Sequence, residues 1–151
     1  MIEPLTASYI AGLIDSDGCI QIMKRKSQSK DQYSLRLSLS QVTDIVPNWL
    51  LSKVGGRIDI VKTYNRDIKN TFRWSIDSVK AKDILQACLP FLVLKQERAM
   101  VGIGFQETVG FRGFADRITN SVADNRLSLY LKMRELNKSS SRFNYKKEEV
   151  N

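Results

Sequence analysis

Hydrophobic and polar positions alternate with period two in four segments between residues 19 and 77, the repeat of strands that bury one face. From Tyr33 to Ser40, Tyr33, Leu35, Leu37 and Leu39 share one side while Ser34, Arg36, Ser38 and Ser40 share the other. Thr71 to Asp77 sets Phe72, Trp74 and Ile76 against Thr71, Arg73, Ser75 and Asp77. Arg57 to Tyr64 begins with Ile58 and Ile60 against Arg57 and Asp59, and Cys19 to Lys26 opposes Ile20 and Ile22 to Gln21, Met23 and Arg25. These spacings predict amphipathic antiparallel strands with one packed face. The other face offers Gln, Arg, Ser, Thr and Asp, side chains that reach phosphates and base edges, where an ordinary solvated sheet offers Glu and Lys.

The intervening segments have helical spacing. Thr6 to Asp15 predicts a helix with Thr6 as N-cap and Pro4 just outside, and Ile45 to Val54 a second, with Pro47 in its first turn and Gly55-Gly56 as its stop. Val79 to Cys88 carries Ala81, Ile84, Leu85 and Cys88 on one stripe. Pro90 to about Glu107 predicts a fourth helix, weakened by Gly102 and Gly104, and Asn125 to Asn137 a last one, with Leu127, Tyr130, Leu131, Met133 and Leu136. The expected architecture is α+β in the order α-β-β-α-β-β-α-α-α, one domain over residues 1–137 followed by a polar, serine-rich tail, 138–151, expected to be mobile.

Composition narrows the chemistry. The 151 residues include no histidine, which excludes imidazole-dependent nucleases, Ser-His-Asp hydrolases, Cys-His proteases and His-ligated metal centres. Two distant cysteines, Cys19 and Cys88, make no zinc site alone and fit buried thiols in a reducing compartment. No apolar run approaches the roughly 20 residues of a membrane span, and Met1-Ile2-Glu3-Pro4 lacks a signal-peptide start, so a soluble intracellular protein is expected, in a cytoplasm or an organelle matrix. Of the net charge of +8, a surplus of seven lies between Cys19 and Ser75, where 11 basic residues face four acidic ones. Charge concentrated on the predicted strands points to a polyanion, since Lys and Arg displace condensed counterions from a phosphate backbone.

The most specific string is Ile10-Ala11-Gly12-Leu13-Ile14-Asp15-Ser16-Asp17-Gly18. Gly12 and Ser16 lie four apart on one helical face, where two small residues let a second helix approach closely. Asp15 and Asp17 follow at the helix end, and Gly18 permits a sharp turn into the first strand. A calcium loop starting at Asp15 is disfavoured because its twelfth position is Lys26 rather than Glu.

This string resembles the signature of the LAGLIDADG homing endonucleases, with Ile for Leu at the first place and Ser for Ala at the seventh. The resemblance extends to Gln41-Val42-Thr43 at the end of the second strand, to Leu89-Pro90-Phe91-Leu92-Val93-Leu94-Lys95-Gln96, similar to the segment that leads to a buried active-site lysine, and more weakly to Leu131 to Asn137. It implies a site-specific endonuclease that breaks both strands of a long, partly palindromic duplex, with a saddle-shaped sheet over the DNA. The single motif implies a homodimer, packed through Ala11, Gly12 and Ser16, with double-stranded DNA as partner, no small-molecule substrate and no membrane. It implies Asp17 as catalytic metal ligand, the Ser16 carbonyl as a further ligand, Lys95 stabilising charge near the phosphate, and Asp44, aligned without a gap, as a polar catalytic residue that serves equally well as a helix N-cap. Asp15 is expected to cap the helix end. Mg2+ is the implied cofactor, with Mn2+ as a substitute and Ca2+ supporting binding without cleavage.

The expected DNA-reading residues are Gln21, Met23 and Arg25; Arg36, Ser38, Ser40 and Gln41; Arg57, Asp59 and Val61; and Arg73 and Ser75. Alternation sets Ser40 outside whereas the resemblance points Gln41 at DNA, so either a bulge lies there or one assignment fails. Lys24, Lys26, Lys62, Arg66, Lys69, Arg142, Lys146 and Lys147 are expected on phosphates. An intron-RNA maturase and a non-catalytic DNA-binding regulator are the alternatives on the same fold.

Overall fold

The computed structural model of the chain describes residues 1–28, 31–62, 69–109 and 120–140, without the side chains of 139 and 140. Helix α1 spans Pro4–Asp17, strand β1 Gly18–Arg25, β2 Gln32–Gln41, α2 Ile45–Val54, β3 Arg57–Val61, β4 Thr71–Asp77, α3 Ser78–Cys88, a 3-10 turn Leu89–Phe91, α4 Gln96–Thr108 and α5 Asn120–Ser140. The α+β order is that of the hydrophobic pattern. Its differences lie at element ends. Helix α1 starts at Pro4, whose missing amide proton matters least in a first turn, and Thr6 is inside the helix instead of capping it. The segment after Pro90 is two elements, because Leu92 is extended (φ −73°, ψ 136°) between the 3-10 turn and α4. Helix α5 extends past both predicted ends. Arg66, Arg142, Lys146 and Lys147 lie outside the described residues.

All strand pairs are antiparallel, in the order β1-β2-β4-β3. Paired residues project to the same side, so the register assigns the faces. Ile20, Leu37 and Ile76 form one inward row, and Leu39, Trp74 and Ile58 another. Helices α1, α3 and α4 cover that face, and the core includes Ile10, Ile14, Leu35, Leu37, Trp74, Leu85 and Phe105. Cys88 is buried there, its thiol donating to the Ala7 carbonyl at 3.4 Å, and burial pushes its pKa up to about 12. Gly102 lets α4 lie against the sheet: a Cβ there would stand 2.9 Å from Leu35 Cδ1. Outer strand β1 is covered by α5, whose Asn137 donates to the Ile20 carbonyl at 3.0 Å, occupying an edge acceptor that could otherwise recruit another strand. Among the described residues no helix is long and apolar enough to cross a membrane.

Candidate active site and nucleic-acid interface

The end of α1 meets β1 without a loop. Gly18 has ordinary extended dihedrals (φ −75°, ψ 151°), so the requirement for glycine is one of space and not of the sharp turn expected. A Cβ at Gly18 would lie 2.6 Å from Ile14 Cα, deep inside van der Waals contact.

Two reciprocal sets of bonds join this helix end to residues 93–95. The Asp15 carboxylate accepts from the backbone N–H groups of Val93 (2.8 Å), Leu94 (3.2 Å) and Lys95 (2.9 Å). Asp15 therefore satisfies amides that lead into α4, where a cap of its own helix was expected. In return the Lys95 ammonium donates to the carbonyls of Ile14 (2.7 Å), Asp15 (2.9 Å) and Gly18 (2.8 Å). Three donors meet three acceptors at the negative end of the α1 dipole. Burial, then the neighbouring Arg98, lowers the Lys95 pKa, opposed by Asp15, Cys19 and Asp17. Arg98 itself turns to α5, donating to the Leu136 carbonyl at 2.7 Å.

The lysine's three acceptors skip the Ser16 carbonyl, while the Ser16 hydroxyl bonds Leu13 O at 3.2 Å. Asp17 is exposed, and one of its carboxylate oxygens accepts from Gln41 Nε2 at 3.2 Å. This bond accounts for the conflict at the end of β2. The register runs unbroken from Arg36 opposite Asp77 to Gln41 opposite Phe72, so there is no bulge; Ser40 faces out, and Gln41 takes the core-side parity where that face ends beside α1. Gln41 is thus removed from the outward reading set. Asp44 accepts from Asn48 Nδ2 at 3.0 Å, within the first turn of α2, and makes no side-chain cap bond to a backbone amide. The polar side chain bonded to Asp17 is Gln41, not Asp44.

On α1, Ala7, Ile10, Ala11 and Ile14 face the core. Ala11 is 0% exposed, so its assignment to a surface between subunits is corrected: on the helical wheel it belongs with the chain's own buried stripe. Gly12 and Ser16 are exposed, a Cβ on Gly12 would meet nothing within 4 Å, and the neighbouring Leu5 and Tyr9 are 83% and 53% exposed.

The outward face of the sheet carries Gln21, Met23 and Arg25 on β1, Arg36, Ser38 and Ser40 on β2, Arg73 and Ser75 on β4, and Arg57, Asp59 and Val61 on β3, as the register requires. One of these is not available for contact. Ser75 is 1% exposed, in register between Ser38 and Arg57, and its hydroxyl has no hydrogen-bond partner. Alternation gives the side of a sheet on which a residue lies but not what its long neighbours cover.

A residue assigned no role from the sequence organises this face. Asp77, on the inner strand β4, accepts from Arg36 Nε at 2.7 Å and Nη2 at 3.2 Å, and from Arg57 Nη1 at 3.0 Å. Arg36, with burial opposing and Arg57 assisting, holds the Asp77 carboxyl below its usual range. The available signal was its parity with Arg73, which puts a carboxylate among the outward cations. Arg73 donates to Ser40 Oγ at 3.4 Å, and exposed Lys24 pairs with Asp31 at 2.8 Å on the opposite parity, beside the Tyr33 and Tyr130 rings.

Comparison with known proteins fits this geometry. The family model described as LAGLIDADG endonuclease matches residues 10–93, from the start of the α1 motif to the loop before Lys95. No curated protein matches the chain by sequence. Among solved structures, the archaeal intron-encoded homing endonuclease I-Vdi141I complexed with DNA is similar at a TM-score of 0.72 and 15% identity, over 87% of this chain and 84% of that one. The homing endonuclease I-CvuI, in complex with its target in the presence of calcium, gives a TM-score of 0.71 at 19% identity over 88% of this chain and 82% of that one. I-SmaMI, bound to uncleaved DNA with calcium, gives 0.62 at 19% over 94% of this chain but only 50% of its own length. At these identities the likeness to solved structures is one of fold; the family follows from the model match, which spans more than half of the sequence, and the chain belongs to the LAGLIDADG endonuclease family.

Proposed function

We propose that this chain is a site-specific homing endonuclease that works as a homodimer and hydrolyses one phosphodiester in each strand of a long, partly palindromic DNA duplex, with magnesium as cofactor. The observation that carries the reading is Asp17, an exposed carboxylate at the end of the motif helix, held by Gln41 beside a sheet face that presents arginines.

The donor set suits a hard divalent cation shared between two chains. Among the described residues no three His, Cys, Asp or Glu side chains cluster closely enough to hold a metal alone. One chain therefore offers the Asp17 carboxylate with the adjacent Ser16 carbonyl; a second copy and the DNA phosphate would supply the remainder, in keeping with a cation that binds few carboxylates and retains waters. When bound, magnesium supplies Lewis-acid neutralisation of charge at the scissile phosphate. Gln41 orients Asp17, and the Lys95 ammonium fixes the carbonyls that flank it.

One further observation supports a dimer. The α1 face with Gly12 and Ser16 is open.

The test is a selection from a randomised duplex library in calcium, followed by transfer of the recovered pool to magnesium and a gel for cleavage. A partly palindromic site of roughly 20 base pairs, two half-sites within about two helical turns, cut in magnesium and left intact by Asp17→Asn, is the expected result. A duplex that is bound but never cut gives the regulator reading instead, and failure to enrich any duplex makes intron RNA the partner to test.

A further inference from the structure

We propose that Asp77 is a specificity-determining positioning residue, which aims Arg36 and Arg57 together at base edges and withholds them from the phosphate backbone. The inference rests on the DNA-reading role proposed above and assigns a division of labour within that surface.

Three observations point to it. Asp77 occupies the N-cap position of α3 with extended dihedrals (φ −123°, ψ 161°), yet makes no side-chain cap bond, although Asp is among the residues best suited to one. Its carboxylate is engaged on the outward face of the sheet. The chain leaves β4 through Ser78 at φ 57°, a left-handed conformation uncommon outside glycine, so the junction itself is unusual. Finally, β4 lies between β2 and β3, so one carboxylate receives a guanidinium from each neighbouring strand: Arg36 through Nε and Nη2, Arg57 through Nη1, with Arg57 Nε also 3.5 Å from Asp59.

The consequence follows from donor geometry. A guanidinium has five N–H donors in a planar fork. Arg36 commits Nε and one terminal nitrogen to Asp77, which leaves the rest of its fork directed away from the carboxylate in a fixed plane. A fixed fork loses less freedom on binding and discriminates better than a loose one, and its best match in a major groove is the O6 and N7 pair of guanine. Without Asp77 the same cations, on flexible stems, would engage any phosphate within reach, strengthening binding without reading sequence.

The experiment uses the full chain and its selected duplex in calcium, with a randomised duplex of equal length as the non-specific reference. Asp77→Asn keeps the shape and removes the charge. Relative to wild type, preference for the selected over the randomised duplex should fall roughly tenfold, and the logarithmic salt dependence should steepen by about one. A repeated selection should lose preference at a small, fixed set of base pairs in each half-site, the same set that the Arg36→Gln, Arg57→Gln double variant loses, and Asp77→Asn added to that double variant should change nothing further. Should the Asn variant fold poorly, Asp77→Glu, with its charge displaced by one methylene, should lose preference at the same base pairs. An unchanged sequence preference, or a weakening spread evenly over the whole site, overturns the positioning role while leaving the endonuclease reading intact. A wild-type chain that enriches no duplex overturns both.

Discussion

Lys95→Met removes the ammonium from the end of α1 and keeps the length of the stem. Three carbonyls, of Ile14, Asp15 and Gly18, then lose donors at 2.7 to 2.9 Å. Hydrogen bonds to a charged group contribute roughly 1.5 to 3 kcal/mol each, but the site is half-buried, so water replaces part of what is lost. Loss of the favourable cation at a helix C-terminus adds about 0.3 to 1 kcal/mol. Burial lowers the pKa of this lysine, which means that its charged form is held at some expense, and methionine relieves that expense. The net destabilisation is about 3 kcal/mol, which for a domain of this size lowers Tm by roughly 6 to 12 °C. Thermal unfolding followed by circular dichroism is the assay, and Lys95→Arg, whose planar fork cannot converge on all three carbonyls, should fall between the two. A Lys95→Met Tm within about 1 °C of wild type would refute the claim that this amine holds the helix end together. Because all three protons are committed within the chain, the variant's cleavage defect should track displacement of Asp17, and DNA affinity in calcium should change little.

Gly12→Leu should leave the fold of one chain intact, since a Cβ there meets open space, and helix propensity favours the change by just under about 1 kcal/mol; sedimentation should nevertheless shift from dimer to monomer, and a variant that remains dimeric removes α1 from the subunit contact. Asp77 has a carboxyl pKa lowered in the folded state from 3.8, so its contribution is complete above that value and is lost as pH falls through the lower folded value. Asp77→Asn should therefore flatten the acid limb of the stability curve below about pH 4, measured by urea unfolding across pH 2 to 6, whereas curves of equal slope would contradict the Arg36 and Arg57 pairing.

The strands and their faces were legible in the sequence because burial of one sheet side imposes strict alternation, and Leu35, Leu37 and Leu39 mark the buried side of β2. The place of Asp17 at the junction of α1 and β1 was legible because the helical spacing stops there and the alternation starts directly after it. Other residues were obscured by distance along the chain. The bonds from Asp15 to the Val93 and Lys95 amides cross nearly 80 residues, and no local spacing encodes them. Gln41 did leave a signal, a polar side chain at inward parity in the last position of its strand, where the packed face has ended. Ala11 was hidden differently: its place in a small-residue string drew attention from its spacing with Ala7 and Ile14, which marks the buried stripe. Ser75 shows the limit of parity, which fixes direction but is blind to how deeply a short side chain lies among its neighbours.

The mutual latch between Asp15 and Lys95 also has a consequence for biosynthesis. The end of α1 is translated early, but the residues that latch it through Asp15 and Lys95 arrive some 80 residues later. Such a long loop closes slowly compared with the formation of a hairpin. A nascent chain that has made only its first two strands thus has Gln41 to hold Asp17 but not the lysine that closes the end of the helix. The end of α1 therefore reaches its final geometry only once the segment that leads into α4 has been made.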